Sequence, residues 1–224
     1  MTPLDLKQIQ ISSAIDLFSK GEISQALDAV QGLLKDYPNE PVLFNIKGAC
    51  YADLGQLDVA VTNYKEAITI KPDYAKAHFN LAGSLHDLGQ LETAVKSYQK
   101  AIEIDASYTE AYNNLGNVYQ ELKQVDSAVK SYQKALEIKP DYVAAQYSLG
   151  NSFMELGQLE EAVKSYKAAL KLKPDFVEAI NNLGITFFKL HQLDDAIKCY
   201  ERAITIKPDY VDAYANLATT LKDL

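Results

Sequence analysis

Residues 7–210 of this 224-residue chain divide into six consecutive blocks of identical length, 7–40, 41–74, 75–108, 109–142, 143–176 and 177–210, without an insertion or a deletion. Residues 211–224 open a seventh block, and residues 1–6 form a short lead-in. A strict period of 34 residues constrains the fold more than any other feature of the chain. Each block is one supersecondary unit that cannot bury its apolar face alone, so neighbours must stack into one continuous core. The organisation expected is therefore a single elongated domain over 7–224.

The pattern is plainest in the fourth copy. Tyr112, Leu115, Gly116, Tyr119, Ala128, Tyr132, Ala135 and Pro140 stand at frame positions 4, 7, 8, 11, 20, 24, 27 and 32. The fifth copy places Gln146, Leu149, Gly150, Phe153, Ala162, Tyr166, Ala169 and Pro174 in the same slots, and the sixth places Ile180, Leu183, Gly184, Phe187, Ala196, Tyr200, Ala203 and Pro208. This pattern resembles the tetratricopeptide repeat over nearly the whole chain. The resemblance implies an all-α fold, a right-handed α-solenoid superhelix of antiparallel helix pairs, with six complete units and a final single helix. It also implies that helix A of each pair lines the concave face.

The residues themselves say how such a pair is built. Small side chains at positions 8, 20 and 27 face large ones at 7, 11 and 24, so that crossing helices interdigitate. Gly55, Gly89 and Gly157 follow helix A, where a left-handed residue ends a helix without a Cβ clash. Lys123 and His191 occupy that slot in their copies, and His191 reads as a cap residue and not as a ligand. Pro72, Pro140, Pro174 and Pro208 stop helix B, and the aspartates after them, Asp73, Asp141, Asp175 and Asp209, are expected to cap the next helix A. Ser107 to Glu110 and Asp175 to Glu178 have capping-box spacing. The third copy has Ala106 in place of the proline. Copy one, with Ser13, Ala14, Val30 and Leu33 in core slots, diverges as a terminal cap does.

Composition narrows the partner. A net charge of -8 opposes nucleic-acid binding, which needs clustered Lys and Arg. No apolar run approaches the roughly 20 residues of a membrane span, and Met1–Gln10 lacks a signal-peptide core, so a cytoplasmic protein is expected. Two cysteines, Cys50 and Cys199, show no metal or disulfide spacing, and no cofactor motif is present. His78, His86 and His191 form no ligand cluster, and the S-x-x-K matches at Ser97–Lys100 and Ser131–Lys134 recur as repeat consensus. A non-enzymatic chain is expected.

Function is then sought at the positions facing the groove, chiefly 2, 5, 6, 9, 12 and 13. They are rich in carboxamides: Asn80, Asn114, Asn182 and Asn216 at position 6, Asn113 and Asn181 at position 5, Asn117 and Asn151 at position 9. Ile46 and Ser148 interrupt position 6. A carboxamide offers donors and acceptors that complement a peptide unit, so a row of them suits an extended backbone. The row resembles the asparagine ladder in the repeat half of the O-linked N-acetylglucosamine transferases. The other reading is helix-to-helix hydrogen bonding common to the repeat. Chaperone cofactors of similar fold use a lysine at position 5 to clamp acidic peptide tails; here that position holds Ile11, Asn45, Phe79, Asn113, Tyr147, Asn181 and Ala215, so no such clamp is expected.

Groove acids, Glu110, Glu121, Glu155, Glu178 and Asp212, outnumber Lys189 and Lys222 toward the C-terminal half, which favours a neutral to mildly basic partner. Tyr147, with Phe79, Met154 and Phe188, offers apolar anchors. The expected function is an interaction scaffold that binds an extended peptide in the groove. Two alternatives stand beside it: the substrate-recruiting segment of a larger, glycosyltransferase-like enzyme cut at Leu224, and self-association into a homodimer through the C-terminal helix, whose Tyr214, Leu217, Leu221 and Leu224 form an apolar stripe. The lysines of helix B, such as Lys100, Lys164 and Lys198, read as a solvated outer face.

Overall fold

A computed structural model of the chain describes residues 3–223. Among these residues there are thirteen α-helices and no strands. Two helices form each copy: α1 (Pro3–Ser19) and α2 (Ile23–Asp36), α3 (Pro41–Asp53) and α4 (Leu57–Ile70), α5 (Ala75–Asp87) and α6 (Leu91–Ile104), α7 (Thr109–Glu121) and α8 (Val125–Ile138), α9 (Val143–Glu155) and α10 (Leu159–Leu172), α11 (Val177–Lys189) and α12 (Leu193–Ile206). The seventh copy contributes α13 (Val211–Lys222). In the second to sixth copies, helix A fills frame positions 1–13 and helix B positions 17–30. Because α1 starts at Pro3, residues 3–6 of the lead-in are helical. The chain forms two compact units, 1–114 and 115–224, with the boundary inside α7.

Within the first unit α3 packs on α4, α4 on α5 and α5 on α6, while the first helices of successive copies, α1, α3 and α5, also touch. The second unit repeats the arrangement from α8 to α13, with α9, α11 and α13 in contact along one side. The crossings are dictated by the small-large pairing. A Cβ on Gly48 would lie 2.7 Å from the Tyr64 ring, and one on Gly150 or Gly184 would lie 2.6 Å from Tyr166 or Tyr200, so in these copies glycine lets the ring lie flat on helix A; the third copy holds Ala82 at that position and still buries Tyr98. Ala128, Ala135, Ala162, Ala169, Ala196 and Ala203 are wholly buried beside these rings.

The A-to-B turn behaves as the sequence predicts. Gly55, Gly89 and Gly157 have φ of 72°, and Lys123 (60°) and His191 (56°) adopt the same left-handed conformation. In each case the bonds are those of a Schellman motif: the Gly55 amide donates to Ala52 O at 2.9 Å and the Gln56 amide to Tyr51 O at 2.8 Å, and Gln124 and Gln192 donate likewise to Tyr119 and Phe187.

The B-to-A turn differs from expectation. The N-caps are Tyr74, Tyr142, Phe176 and Tyr210, one residue beyond the aspartates, and none makes a side-chain cap bond. The turn is closed instead by a backbone bond from position 34 to position 31, as from the Tyr74 amide to Lys71 O at 3.2 Å and from the Tyr108 amide to Asp105 O at 3.1 Å, and in four copies a cation–π contact lies over it. Lys71, Lys139, Lys173 and Lys207 at position 31 place their ammonium groups 5.7, 5.5, 4.9 and 5.3 Å from the centroids of those four rings. The third copy has Asp105 at that position. Its carboxylate accepts the Ser107 amide at 3.0 Å and hydroxyl at 2.6 Å, which holds it below the ordinary carboxylate range and turns Ser107 away from a capping role.

At the far end, Val211, Tyr214 and Leu221 of α13 are exposed, whereas Leu217 packs on the core of the second unit. Leu224 lies outside the described residues. On helix B, lysines pair with neighbouring acids, Lys100 with Glu103 at 3.0 Å, Lys164 with Glu161 at 2.6 Å and Lys198 with Asp195 at 3.1 Å. Such exposed pairs contribute only about 0.2–1 kcal/mol each, as fits a solvated face.

Candidate functional site

Frame positions 5 and 6 each lie about one turn from position 9 on helix A, so the asparagines there come close along each unit. In the first unit the Asn80 Nδ2 group donates to Asn45 Oδ1 at 3.0 Å. Asn113 Nδ2 donates to Asn114 Oδ1 at 3.2 Å, and Asn114 is hydrogen-bonded to the buried Tyr98 hydroxyl. Asn113 Oδ1 is buried without a partner.

The second unit carries the denser network. Asn216 Nδ2 donates to Asn181 Oδ1 at 3.0 Å, repeating the Asn80–Asn45 bond at the same frame positions further along the chain. Asn182 Nδ2 donates to Asn151 Oδ1 at 3.0 Å and contacts the Tyr147 hydroxyl at 3.2 Å. The Tyr166 hydroxyl donates to Asn151 Oδ1 at 2.7 Å, and that of Tyr132 to Asn117 Oδ1 at 2.8 Å. Burial pushes Tyr98, Tyr132 and Tyr200 up to about 12 and Tyr166 higher still, so these hydroxyls stay protonated and serve as donors.

The asparagines therefore bond helix to helix, and they do so without using their full capacity. Each carboxamide has two donor hydrogens and two acceptor lone pairs, and Asn117 spends one acceptor. Burial sorts them: Asn113 and Asn181 are 5% and 4% exposed, while Asn80, Asn114, Asn117, Asn151, Asn182 and Asn216 are half-buried. The aromatic groups at position 5 are built into the wall. Phe79 stacks on Tyr108, with centroids 4.7 Å apart, and meets Tyr98 edge-on; Tyr147 lies 4.8 Å from Phe176. Met154 and Phe188 pack on the core, the former accepting the Thr186 hydroxyl at 3.7 Å.

Two depressions of about 220 Å³ open on these faces, one in each unit, and their chemistry differs. That of the second unit is polar, lined by Asn117, Gln120, Glu121, Tyr132, Ser148 and Asn151. Beside it the Gln120 amide hydrogen-bonds the exposed Glu155. That of the first unit is mostly apolar, lined from α1 by Ile15 and Phe18, from α3 by Val42, Asn45, Ile46 and Ala49, and from α5 by Lys76 and Asn80, with Tyr74 closing it. An inspection of carboxamides alone misses this second cleft. Its signal is the apolar residues at positions 9 and 12 of the first copy and position 9 of the second, Ile15, Phe18 and Ala49, where the fourth copy places Asn117 and Gln120.

Among the described residues no group of three His, Cys, Asp or Glu side chains converges to hold a metal ion, and no helix is long and apolar enough to cross a membrane. Burial raises both cysteine thiols to about 11, so neither is poised as a nucleophile.

Comparison with known proteins gives a consistent picture. The family profile described as "TPR repeat" matches residues 48–86, 83–123 and 150–191, and that described as "Tetratricopeptide repeat" matches 109–142 and 177–210. The peroxisomal targeting signal receptor of Candida glabrata is 30% identical over 76 residues, and that of Saccharomyces cerevisiae is 27% identical over 77. Each match covers 34% of this chain and 13% of the receptor. Among solved structures, Pseudomonas aeruginosa pilF has a TM-score of 0.84 at 15% identity, covering 96% of this chain and 98% of that one. YrrB, described as a TPR protein with an unusual peptide-binding site, has a TM-score of 0.75 at 20% identity, covering 88% of this chain and all of that one. Likeness at that identity establishes the fold alone.

Proposed function

Because the chain belongs to the tetratricopeptide repeat family, we propose that it is a non-enzymatic scaffold for protein interactions that holds an extended peptide against the first helices of its repeats. The observation that carries this reading is the half-used carboxamide network. Asn80, Asn114, Asn117, Asn151, Asn182 and Asn216 are locked in position by bonds to one another and to buried tyrosine hydroxyls, and they retain donors and acceptors for a ligand backbone. Asn113, Asn181 and Tyr147 position them from behind. In the second unit the exposed acids around the polar depression favour a neutral to mildly basic segment. The names of the receptor relatives and of YrrB agree with a peptide or targeting-sequence ligand.

The test is a screen of a random peptide library for ligands, followed by titration calorimetry on Asn117→Ala and Asn151→Ala. Binding is expected to weaken about fivefold or more for each, since a lost hydrogen bond is worth about 1 kcal/mol, with far-UV circular dichroism unchanged. Ligands that bind both variants as tightly as the parent would move the site off this face. A second reading, self-association through α13, is favoured by exposed Val211, Tyr214 and Leu221. Light scattering that finds only monomer at high concentration removes it.

A further inference from the structure

The geometry points to a ligand of defined chemistry for the cleft of the first unit: a peptide segment bearing a large aliphatic or aromatic side chain with a carboxylate immediately beside it. We infer that the apolar side chain enters between α1 and α3 and that the carboxylate faces Lys76. This inference deepens the groove reading above and depends on it.

The cleft holds about 220 Å³, on the order of seven waters. Phe18, Val42, Ile46 and Ala49 form its walls and Ile15, 44% exposed, stands at its rim. The two carboxamides that border it, Asn45 and Asn80, are bonded to each other at 3.0 Å, which satisfies part of their polarity away from a ligand. A water-filled apolar recess of this size favours a side chain that displaces the water.

Charge then selects the neighbour. Among the described residues Lys76 is the one charged residue lining the cleft, it is exposed on the first turn of α5, and no carboxylate lines the cleft with it. The nearby Glu40 is paired with Lys7, and the Lys71 ammonium sits over the Tyr74 ring. The local field is thus set by an unopposed cation, the reverse of the polar depression of the second unit, where Glu121 is part of the lining. The arrangement is also distinct from a lysine clamp at position 5, because Lys76 stands at position 2 and position 5 holds Asn45 and Phe79.

The experiment is fluorescence anisotropy of the full chain with three sets of dye-labelled peptides of equal length: leucine or phenylalanine next to glutamate, the same next to lysine, and serine next to glutamate. The apolar–acidic set is expected to bind tightest. Ile15→Ser and Phe18→Ala should weaken both apolar sets by about tenfold to a hundredfold, as loss of a buried apolar side chain does. Lys76→Glu should weaken the apolar–acidic set roughly fivefold and strengthen the apolar–lysine set, since exposed charge pairs are modest in strength. Ile15 and Lys76 are exposed, so these two variants keep the fold, and far-UV circular dichroism verifies it. Equal binding by all three sets, or apolar–acidic binding unmoved by the three substitutions, overturns the inference and leaves the groove reading standing. Failure of every peptide, including the random library, overturns both.

Discussion

Replacing Gly150 by alanine tests the packing logic at its tightest point. The added Cβ would lie 2.6 Å from Tyr166 Cε1 and 2.8 Å from Cδ1, against a comfortable carbon–carbon separation of about 3.5–4.0 Å, so the ring must retreat by about 1 Å. Tyr166 is fully buried and its hydroxyl is tied to Asn151 Oδ1 at 2.7 Å, which resists that retreat. Overpacking of this kind costs about 1–3 kcal/mol. Alanine returns about 1 kcal/mol of helix propensity relative to glycine, so the net expectation is a loss of about 1 kcal/mol, or a fall of about 2–4 °C in Tm for a chain of this size. Gly83 on α5 supplies the control, because a Cβ there meets nothing nearer than the Tyr98 hydroxyl at 3.8 Å. Gly83→Ala should therefore stabilise by up to about 1 kcal/mol. Thermal and urea denaturation followed by circular dichroism measure both. A double cycle with Tyr166→Leu should show coupling of about 1 kcal/mol, since the smaller side chain relieves the clash. A higher midpoint for Gly150→Ala, or strict additivity with Tyr166→Leu, would refute the claim that glycine is required by the ring.

Other outcomes follow from the same structure. Lys123→Gly and His191→Gly remove a left-handed L-residue and should each raise the urea midpoint by the equivalent of about 1 kcal/mol; a fall would show that these side chains make a contact worth more than the strain. The buried tyrosines predict alkaline instability. Tyr98 and Tyr132 are raised to about 12 in the folded chain while their unfolded counterparts ionise near 10, so their contribution is complete below pH 10 and is lost as pH rises toward 12. The slope is at most about 1.4 kcal/mol per pH unit for each tyrosine. Difference absorbance against Tyr98→Phe and Tyr132→Phe variants isolates these two groups, whose ionisation should coincide with the loss of circular dichroism; ionisation of either near pH 10 in an intact fold would contradict the burial.

The helix frame was legible because two constraints recur at fixed spacing. In the second, fourth, fifth and sixth copies the ring lies where a Cβ on the facing helix would clash, and the tight A-to-B turn needs a left-handed residue in every complete copy, so Gly150 with Tyr166 and the slot of Gly157 are legible from spacing. The slot even predicts the conformation of Lys123 and His191, because the backbone bonds of the Schellman motif outweigh the Cβ penalty. The B-to-A turn was not legible by the same means. Capping rules score a side chain against the amides after it, and they assign Asp73; the turn is closed instead by the bond from the Tyr74 amide to Lys71 O, with the Lys71 ammonium over the Tyr74 ring, contacts between positions 31 and 34 that no capping rule includes.

For the site, residue type placed the carboxamides on one face but left their pairing open. Asn45, Asn113 and Asn181 occupy the same frame position, yet two of them accept a bond from the asparagine one copy on, and Asn113 keeps a buried, open acceptor. A bond between copies is a property of two positions 35 residues apart, so a column of the repeat read singly cannot reveal it. An unpaired buried acceptor costs about 1–3 kcal/mol, comparable to a core substitution, and the fold carries it at one copy of the three. The chemistry of each stretch of groove is thus set by pairs of adjacent copies, which is why the first unit can present an apolar cleft beside a lysine and the second a polar one beside a glutamate while the period that builds them stays the same.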